Sequence, residues 1–366
     1  MKIPTFTING KEVKIPIIQG GMGIKISLNK LASACINSNI VGTISAAQTG
    51  FQRYVKGKKD NFYNANLQTN KEALKEEISK VRENTKDGIL GVNLMTAGVD
   101  FDEFAKFLAK QDIDFIVSGA GLPMELPKHL VDSNVKPAAI ISSGRAAKVI
   151  LRNWDRKFNV VPEFLVVEGP LAGGHLGFTK EEIALGNVKE LEELVVEVLK
   201  VVKPFEEKYN KKIPVIAAGG IHTGEDIARF IGLGSSGVQM ATRFIATHEC
   251  DVHENYKQKI VDAKEEDIVA TVSPAGLPGR AIRNKLTEFV KNNNLPIKTC
   301  VDCLRSCSRV NIPYCITEKL GESTSGDVEN GLVFTGAKAY MIDRLVSVQE
   351  LVDELVSELK LKLQEV

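Results

Sequence analysis

The segment Ile213–Arg243, IPVIAAGGIHTGEDIARFIGLGSSGVQMATR, carries the strongest chemical signal in the chain. Two short apolar runs, Val215–Ala218 and Gly237–Met240, each end in small residues: Gly219 and Gly220 after the first, Ala241 and Thr242 after the second. Glycine lets a backbone approach a ligand closely and adopt dihedrals closed to other residues. Backbone N–H groups at such turns, and at the start of a following helix, bind phosphate. The expected contacts fall on Ala218, Gly219, Gly220, Gln239, Met240, Ala241 and Thr242. A single Gly-Gly pair reads as a tight turn, whereas two strand ends built alike read as a phosphate site.

His175 is the candidate base. It follows Gly173 and Gly174 in the loop after the apolar run Phe164–Glu168. An imidazole with an ordinary pKa of ~6.5 exchanges protons at neutral pH. It could remove an acidic α-proton, bind an anion or polarise a carbonyl; the alternative is a histidine that only caps its loop. Asn93 and Glu168 stand at strand ends, where a buried polar side chain needs a partner. Ser142 and Ser143 either touch a ligand or cap the next helix. His222 is expected at a helix start beside the phosphate loops, His129 in a structural role, and His248 and His253 at the surface. Cys300, Cys303, Cys307 and Cys315 have the spacing C-x2-C-x3-C-x7-C. Thiolates this close can hold zinc or an iron–sulfur cluster, yet the spacing is standard for neither, and reduced thiols packed in a loop-rich segment are the alternative. Arg305, Arg309 and Tyr314 could line a substrate entrance.

These residues must be positioned by a repeating framework. Eight short apolar runs suit strands buried on both faces: Ile15–Gln19, Ile40–Ser45, Ile89–Leu94, Phe115–Ser118, Ala138–Ser142, Phe164–Glu168, Val215–Ala218 and Gly237–Met240. Helical patterns lie between most of them, over Leu28–Ser38, Lys71–Arg82, Asp102–Lys110, Met124–Ser133, Arg145–Lys157, Val188–Tyr209 and Glu225–Leu233. This alternation predicts an α/β fold, and eight strands favour a closed (β/α)8 TIM barrel. In such barrels a phosphate site recurs after strands seven and eight, the two strands singled out above. The expected organisation is a barrel over 1–245, a long insertion after strand eight over 246–346 that includes the cysteine-rich segment, and a C-terminal helix over 347–366 that packs back on the barrel. Ala46–Asn70 reads as a long polar loop.

Composition narrows the partners. The 366 residues carry 47 basic and 46 acidic side chains, a net charge of +1, and 6% aromatics. That balance gives no electrostatic reason to expect nucleic acid or a membrane surface. No apolar run reaches the roughly 20 residues of a membrane span. A cytoplasmic location is expected, with cysteines in the reduced state. A small-molecule substrate is the expected partner, and a homodimer is compatible with this reading.

The motifs together resemble the nitronate monooxygenase (2-nitropropane dioxygenase) family, to which FMN-dependent enoyl-ACP reductases are related. Besides the phosphate segment, Pro16–Gly23 (PIIQGGMG), Gly91–Leu94 (GVNL), Glu168–Gly177 (EGPLAGGHLG) and Ser273–Asn284 (SPAGLPGRAIRN) match family segments in the family's order. The resemblance implies FMN as cofactor. It implies that Gly20, Gly21 and Met22 lie against the flavin, that Asn93 contacts FMN, that Glu168, Gly173 and Gly174 face it, and that His175 is catalytic. Two positions depart from the pattern: Leu171 stands where the family often has Glu, and Ala241 where Gly is common. The implied activity is oxidation of alkyl nitronates to carbonyl compounds and nitrite with oxygen. Alternatives are an NAD(P)H-dependent enoyl-thioester reductase, a non-catalytic flavin-binding subunit, and a barrel enzyme acting on sugar phosphates without flavin.

Overall fold

The computed structural model describes residues 3–54, 62–184, 186–297, 300–308 and 312–365. Eight parallel strands form one sheet: β1 (Ile17–Gln19), β2 (Gly42–Ser45), β3 (Leu90–Met95), β4 (Phe115–Gly119), β5 (Lys136–Ile141), β6 (Leu165–Glu168), β7 (Val215–Ala218) and β8 (Gly237–Met240). Each strand pairs with its sequence neighbour, and β8 pairs with β1 through Val238–Ile17, Gln239–Ile18 and Met240–Gln19. A parallel bridge between Ile18 and Val41 joins β1 to the start of β2 and completes the ring. The expected barrel is therefore present, with strand limits within about two residues of those expected.

Two hydrophobic layers explain why the barrel opens at one end only. Outside, helices such as Gly144–Phe158, Leu191–Tyr209 and Val348–Gln364 lay apolar stripes on the sheet. Inside, Ile18, Val41, Phe115, Val117, Ala138, Phe164, Val166 and Ile216 fill the lower barrel. Phe115 and Phe164 meet edge to face with ring centres 5.0 Å apart, a favoured aromatic geometry. Ile8 and Val13, from the antiparallel pair Phe6–Ile8 and Lys11–Val13, join this cluster. With that end packed, a ligand has room only at the C-terminal ends of the strands, where barrel sites lie.

Two expectations need correction. Met124–Ser133 does not form an α-helix; only a 3-10 turn, Leu126–His129, is present. Pro127 sits in the first turn, where its missing N–H costs nothing, and the run Asp132–Ser133–Asn134 that follows favours a turn over a continued helix. Part of Ala46–Asn70 is helical rather than loop, over Phe51–Tyr54 and from Phe62 into the helix Phe62–Asn84; residues 55–61 lie outside the described residues. The polar run Asn64–Asn70 hides the helix because its inward positions include Asn66 and Asn70. Asn70 Oδ1 accepts from Gly50 N at 2.7 Å, a tie that apolar periodicity cannot reveal.

Residues 246–346 contain the antiparallel pair Ile268–Val272 and Pro278–Ile282. The second strand also pairs with the short strand Gly174–His175, through Gly279–His175 and Arg280–Gly174. The segment after β8 thus reaches back to fix the backbone that carries His175. A separate apolar cluster, including Ile24, Leu286, Leu304, Tyr314, Ile316 and Leu332, anchors this segment beside the barrel mouth. The closing helix Val348–Gln364 begins with a capping box between Ser347 and Glu350. Among the described residues, no helix is long and apolar enough to cross a membrane.

Candidate active site

One cavity occupies the C-terminal mouth of the barrel. Its volume of about 330 Å³ lies within the ~300–1,000 Å³ typical of small-molecule sites. Its wall includes the whole expected catalytic and flavin-binding set: Gly20, Gly21, Met22, Asn93, Glu168, Gly173, Gly174, His175, Ala218, Gly219, Gly220, Gln239, Met240, Ala241 and Thr242. His222 lines it as expected. Ser142 and Ser143 do not belong to this wall; Ser143 caps the helix Gly144–Phe158 by accepting from Ala146 N at 3.1 Å.

The floor is glycine because its neighbours leave no room for a side chain. A Cβ on Gly21 would sit 2.4 Å from Asn93 Cβ. Asn93 itself pairs with Ser45 across β2 and β3, and its carbonyl accepts from Ala46 N at 3.0 Å. The tip of its side chain is left to face the cavity beside the Gly20–Gly21 backbone.

The β7 and β8 ends form the part of the wall where a phosphate is expected. Gly219 and Gly220 have φ of +96° and +78°, conformations that strain other residues. The helix Gly224–Gly232 contributes less than expected, because its first donors are already taken. Gly224 N donates to Glu358 Oε2 at 2.6 Å, and Asp226 N to Thr223 Oγ1 at 3.1 Å. His222 N and Thr223 N both donate to Asp226 Oδ2. The backbone of the two strand-end loops, not the helix terminus, is therefore the available anion cradle. Burial first, then Arg243 and Lys338, push the His222 pKa down to about 4, against Asp226 and Glu354, which raise it.

His175 lies on the loop after β6, the strand paired with β7, and lines the same cavity. Its Nε2 is 2.7 Å from Ser273 Oγ, and its ring meets Phe334 edge to face at 5.2 Å. Ser273 Oγ also accepts from Ala275 N at 3.2 Å. With Nε2 held by the hydroxyl, Nδ1 is the nitrogen left for a ligand. Burial pulls the His175 pKa down to about 4, which keeps the ring neutral at neutral pH. Glu168 ends β6 in the same wall, and burial raises its carboxyl to about 7. It has no hydrogen-bond partner among the described residues, so a ligand hydroxyl or N–H would satisfy it. The loop joining Glu168 to His175 is held by Arg280, whose Nη1 donates to the carbonyls of Pro170 (2.8 Å) and Ala172.

The sequence reading missed the return of the late segment. Phe334, Thr335, Gly336, Ala337 and Lys338 line the cavity, as do Leu304, Ile316 and Leu320. The only local signal was Gly336 after the apolar run Leu332–Phe334. Leu171 and Ala241, the two departures from the family pattern, both line the cavity. Leu171 offers its carbonyl to Ala337 N at 3.1 Å, a contact independent of its side chain. Ala241 precedes the short helix Thr242–Ile245 without obstructing it.

The cysteine-rich segment contributes to the cavity wall. Cys303 lines the cavity, and its thiol is pushed up to about 12 by burial, against a hydrogen bond from Thr317 that lowers it. None of the six cysteines is in a disulfide. Among the described residues, no group of three or more His, Cys, Asp or Glu side chains is placed to hold a metal ion. Arg305 stands over the Phe101 ring at 5.9 Å and pairs with Asp102 at 3.3 Å, next to the cavity wall. Tyr314, by contrast, is core: it is fully buried and donates to Val272 O at 2.6 Å. Arg309 lies outside the described residues.

Comparison with known proteins agrees with this arrangement. The sequence profile of the nitronate monooxygenase family matches residues 5–358. A probable nitronate monooxygenase of Staphylococcus saprophyticus is 28% identical over 309 residues, covering 80% of this chain and 82% of that one. A Staphylococcus aureus protein of the same description is 28% identical over 293 residues, covering 76% and 78%. The structure of FabK from Thermotoga maritima is similar with a TM-score of 0.73 and 25% identity, covering 96% of this chain and 95% of that one. The structure of a nitroalkane oxidase from Streptomyces ansochromogenes has a TM-score of 0.72 at 19% identity, covering 96% and 98%, a likeness of fold alone. Barrel, cavity and motif order therefore converge, and the chain belongs to the nitronate monooxygenase family of oxidoreductases.

Proposed function

We propose that this protein binds FMN and oxidises alkyl nitronates to carbonyl compounds and nitrite with consumption of oxygen. The observation that carries the reading is a neutral, cavity-lining His175, held by Ser273, in the same cavity as the glycine loops of β7 and β8. The cavity residues fit a flavin nucleotide: a backbone anion cradle at one end, Asn93 and the Gly20–Gly21 backbone in the middle, and an unpartnered Glu168 carboxyl for a polyol or ring group.

FMN, when bound, supplies the redox chemistry. The chain's own residues do the rest. The β7 and β8 loops hold the phosphate, and the Gly21–Asn93 floor orients the ring system. His175, with Nε2–H given to Ser273, takes the acidic α-proton at Nδ1 when a neutral nitroalkane is offered; a nitronate supplied already ionised needs no such proton transfer. Phe101, Phe104, Leu304, Ile316 and Leu320 give the outer cavity an apolar wall suited to an alkyl chain, and they exclude water around the reacting carbon.

Oxygen uptake and nitrite release test the proposal. FMN-loaded protein given propyl-2-nitronate should consume oxygen and release nitrite. Its absence with a yellow, FMN-saturated protein would overturn the nitronate reading. A second reading, reduction of an enoyl thioester by NAD(P)H, is favoured by one observation: the likeness to FabK over nearly the whole chain. The same apolar wall would then receive an acyl chain.

A further inference from the structure

The segment Phe334–Lys338 is not part of any barrel strand, yet it touches three sides of the cavity. Gly336 N donates to Thr242 Oγ1 at 3.0 Å, at the end of β8. Ala337 N donates to Leu171 O at 3.1 Å, and Thr335 N to Arg280 O at 3.2 Å. The packing is tight: a Cβ on Gly336 would lie 2.7 Å from Thr242 Oγ1, and one on Gly173 would lie 2.6 Å from Gly336 N.

Two polar side chains of this segment stand in the cavity wall without a settled role. Thr335 is 2% exposed, and its Oγ1 has no hydrogen-bond partner among the described residues. A buried hydroxyl without a partner destabilises a fold unless a ligand supplies one. Lys338 Nζ lies 3.4 Å from Asp226 Oδ2. Asp226 does not depend on it, because His222 N (2.8 Å), Thr223 N (3.2 Å) and Arg229 (2.9 Å) already satisfy that carboxylate. The arginine in this part of the wall, Arg243, is committed to His222 O and Glu354, each at 2.9 Å. Lys338 is thus the cation most readily turned toward an anion in the β7 and β8 loops.

We propose that Lys338 pairs with the phosphate of the bound flavin nucleotide and that Thr335 donates a hydrogen bond to the same ligand. This makes the return segment part of the cofactor site and rests on the FMN reading above. The mechanism is a charge-assisted contact added to backbone hydrogen bonds, and its strength depends on the phosphate.

The test compares FMN with riboflavin, which lacks the phosphate, by fluorescence titration of apoprotein. Lys338→Gln should weaken FMN about tenfold, as expected for loss of a charged hydrogen bond, and leave riboflavin within about twofold. Thr335→Val should weaken FMN while leaving the apoprotein's Tm unchanged or raised, since it removes an unsatisfied hydroxyl. Unchanged FMN affinity in Lys338→Gln overturns the pairing, as does parallel loss of both flavins, which would mean general damage. Thr335→Val that lowers Tm and spares FMN overturns the role of Thr335. Wild-type protein that binds neither flavin would fell the FMN reading itself, an outcome distinct from a variant that binds as well as wild type.

Discussion

His175 Nε2 stands 2.7 Å from Ser273 Oγ, a contact between residues 98 positions apart that ties the loop after β6 to the turn of a distant hairpin. The two strands of that hairpin, Ile268–Val272 and Pro278–Ile282, extend the short strand carrying His175 into a three-stranded sheet. Backbone pairing sets where the histidine is, and the serine sets which ring nitrogen faces the cavity. The Ser273 hydroxyl is therefore a positioning group for the ring.

Ser273→Ala should lower kcat by about tenfold or more while FMN binding is preserved, because the ring loses its fixed tautomer and orientation but not its place. Ser273→Thr, which restores a hydroxyl, should recover part of the loss. Steady-state kinetics on FMN-loaded variants check this; equal kcat in wild type and Ser273→Ala would show that the contact is only structural.

The pH profile should carry the signature of a buried base. Burial holds the His175 pKa at about 4, below its ordinary value. The neutral, proton-accepting form then persists as pH falls, until about pH 4. With a neutral nitroalkane as substrate, kcat/KM should show no histidine limb near pH 6.5, and His175→Ala should lower it by about 10²–10⁴-fold with FMN retained. A limb at pH 6.5 that disappears in His175→Ala would contradict the buried, neutral state.

Glu168 makes an opposite prediction for stability. Its folded pKa of about 7 lies above the ordinary value of 4.5. Between those values the folded apoprotein binds more protons than the unfolded chain, so stability is greatest below about pH 4.5 for this group and falls as pH rises through about 7. The effect is at most of order 3 kcal/mol. Urea titrations of apoprotein from pH 5 to 8 should show this decline, and Glu168→Gln should flatten it. An equal slope in both proteins would show that the carboxyl is not desolvated.

Gly21→Ala probes the cavity floor. The new methyl would fall 2.4 Å from Asn93 Cβ, and overpacking of that kind costs about 1–3 kcal/mol or displaces its neighbour. A lowered Tm together with reduced FMN occupancy after purification is expected. Gly10→Ala, where nothing lies within 4 Å of the new Cβ, serves as the control for a glycine turn remote from the site; its Tm reports only the cost of the positive φ. Normal FMN occupancy in Gly21→Ala would place the ring system elsewhere.

The barrel was legible because its signals are local. Val215–Ala218 and Gly237–Met240 have the limits expected from apolar runs, and the glycines after Ala218 declare their own positive φ. His175 was legible because Gly173 and Gly174 flank it at a strand end. Ser273, Phe334, Thr335 and Lys338 were not, because their roles arise from long-range pairing: Gly279 with His175, Gly336 with Thr242. A side chain brought to a site by a hairpin about a hundred residues away leaves no periodicity or spacing beside the residues it serves. The missed helix start at Phe62 and the false helix at Met124–Ser133 have local causes instead, buried asparagines in one and a turn-forming Asp-Ser-Asn run after the 3-10 turn in the other.

Anaerobic flavin spectroscopy addresses the central claim most directly. Purified, FMN-loaded protein is given an alkyl nitronate in one sample and NADPH or NADH in another. Nitronate oxidation predicts bleaching of the flavin by nitronate and not by nicotinamide, with turnover once oxygen is admitted. Rapid bleaching by nicotinamide, followed by reoxidation with an enoyl thioester and no response to nitronate, would contradict it and assign the chain to reduction of enoyl thioesters.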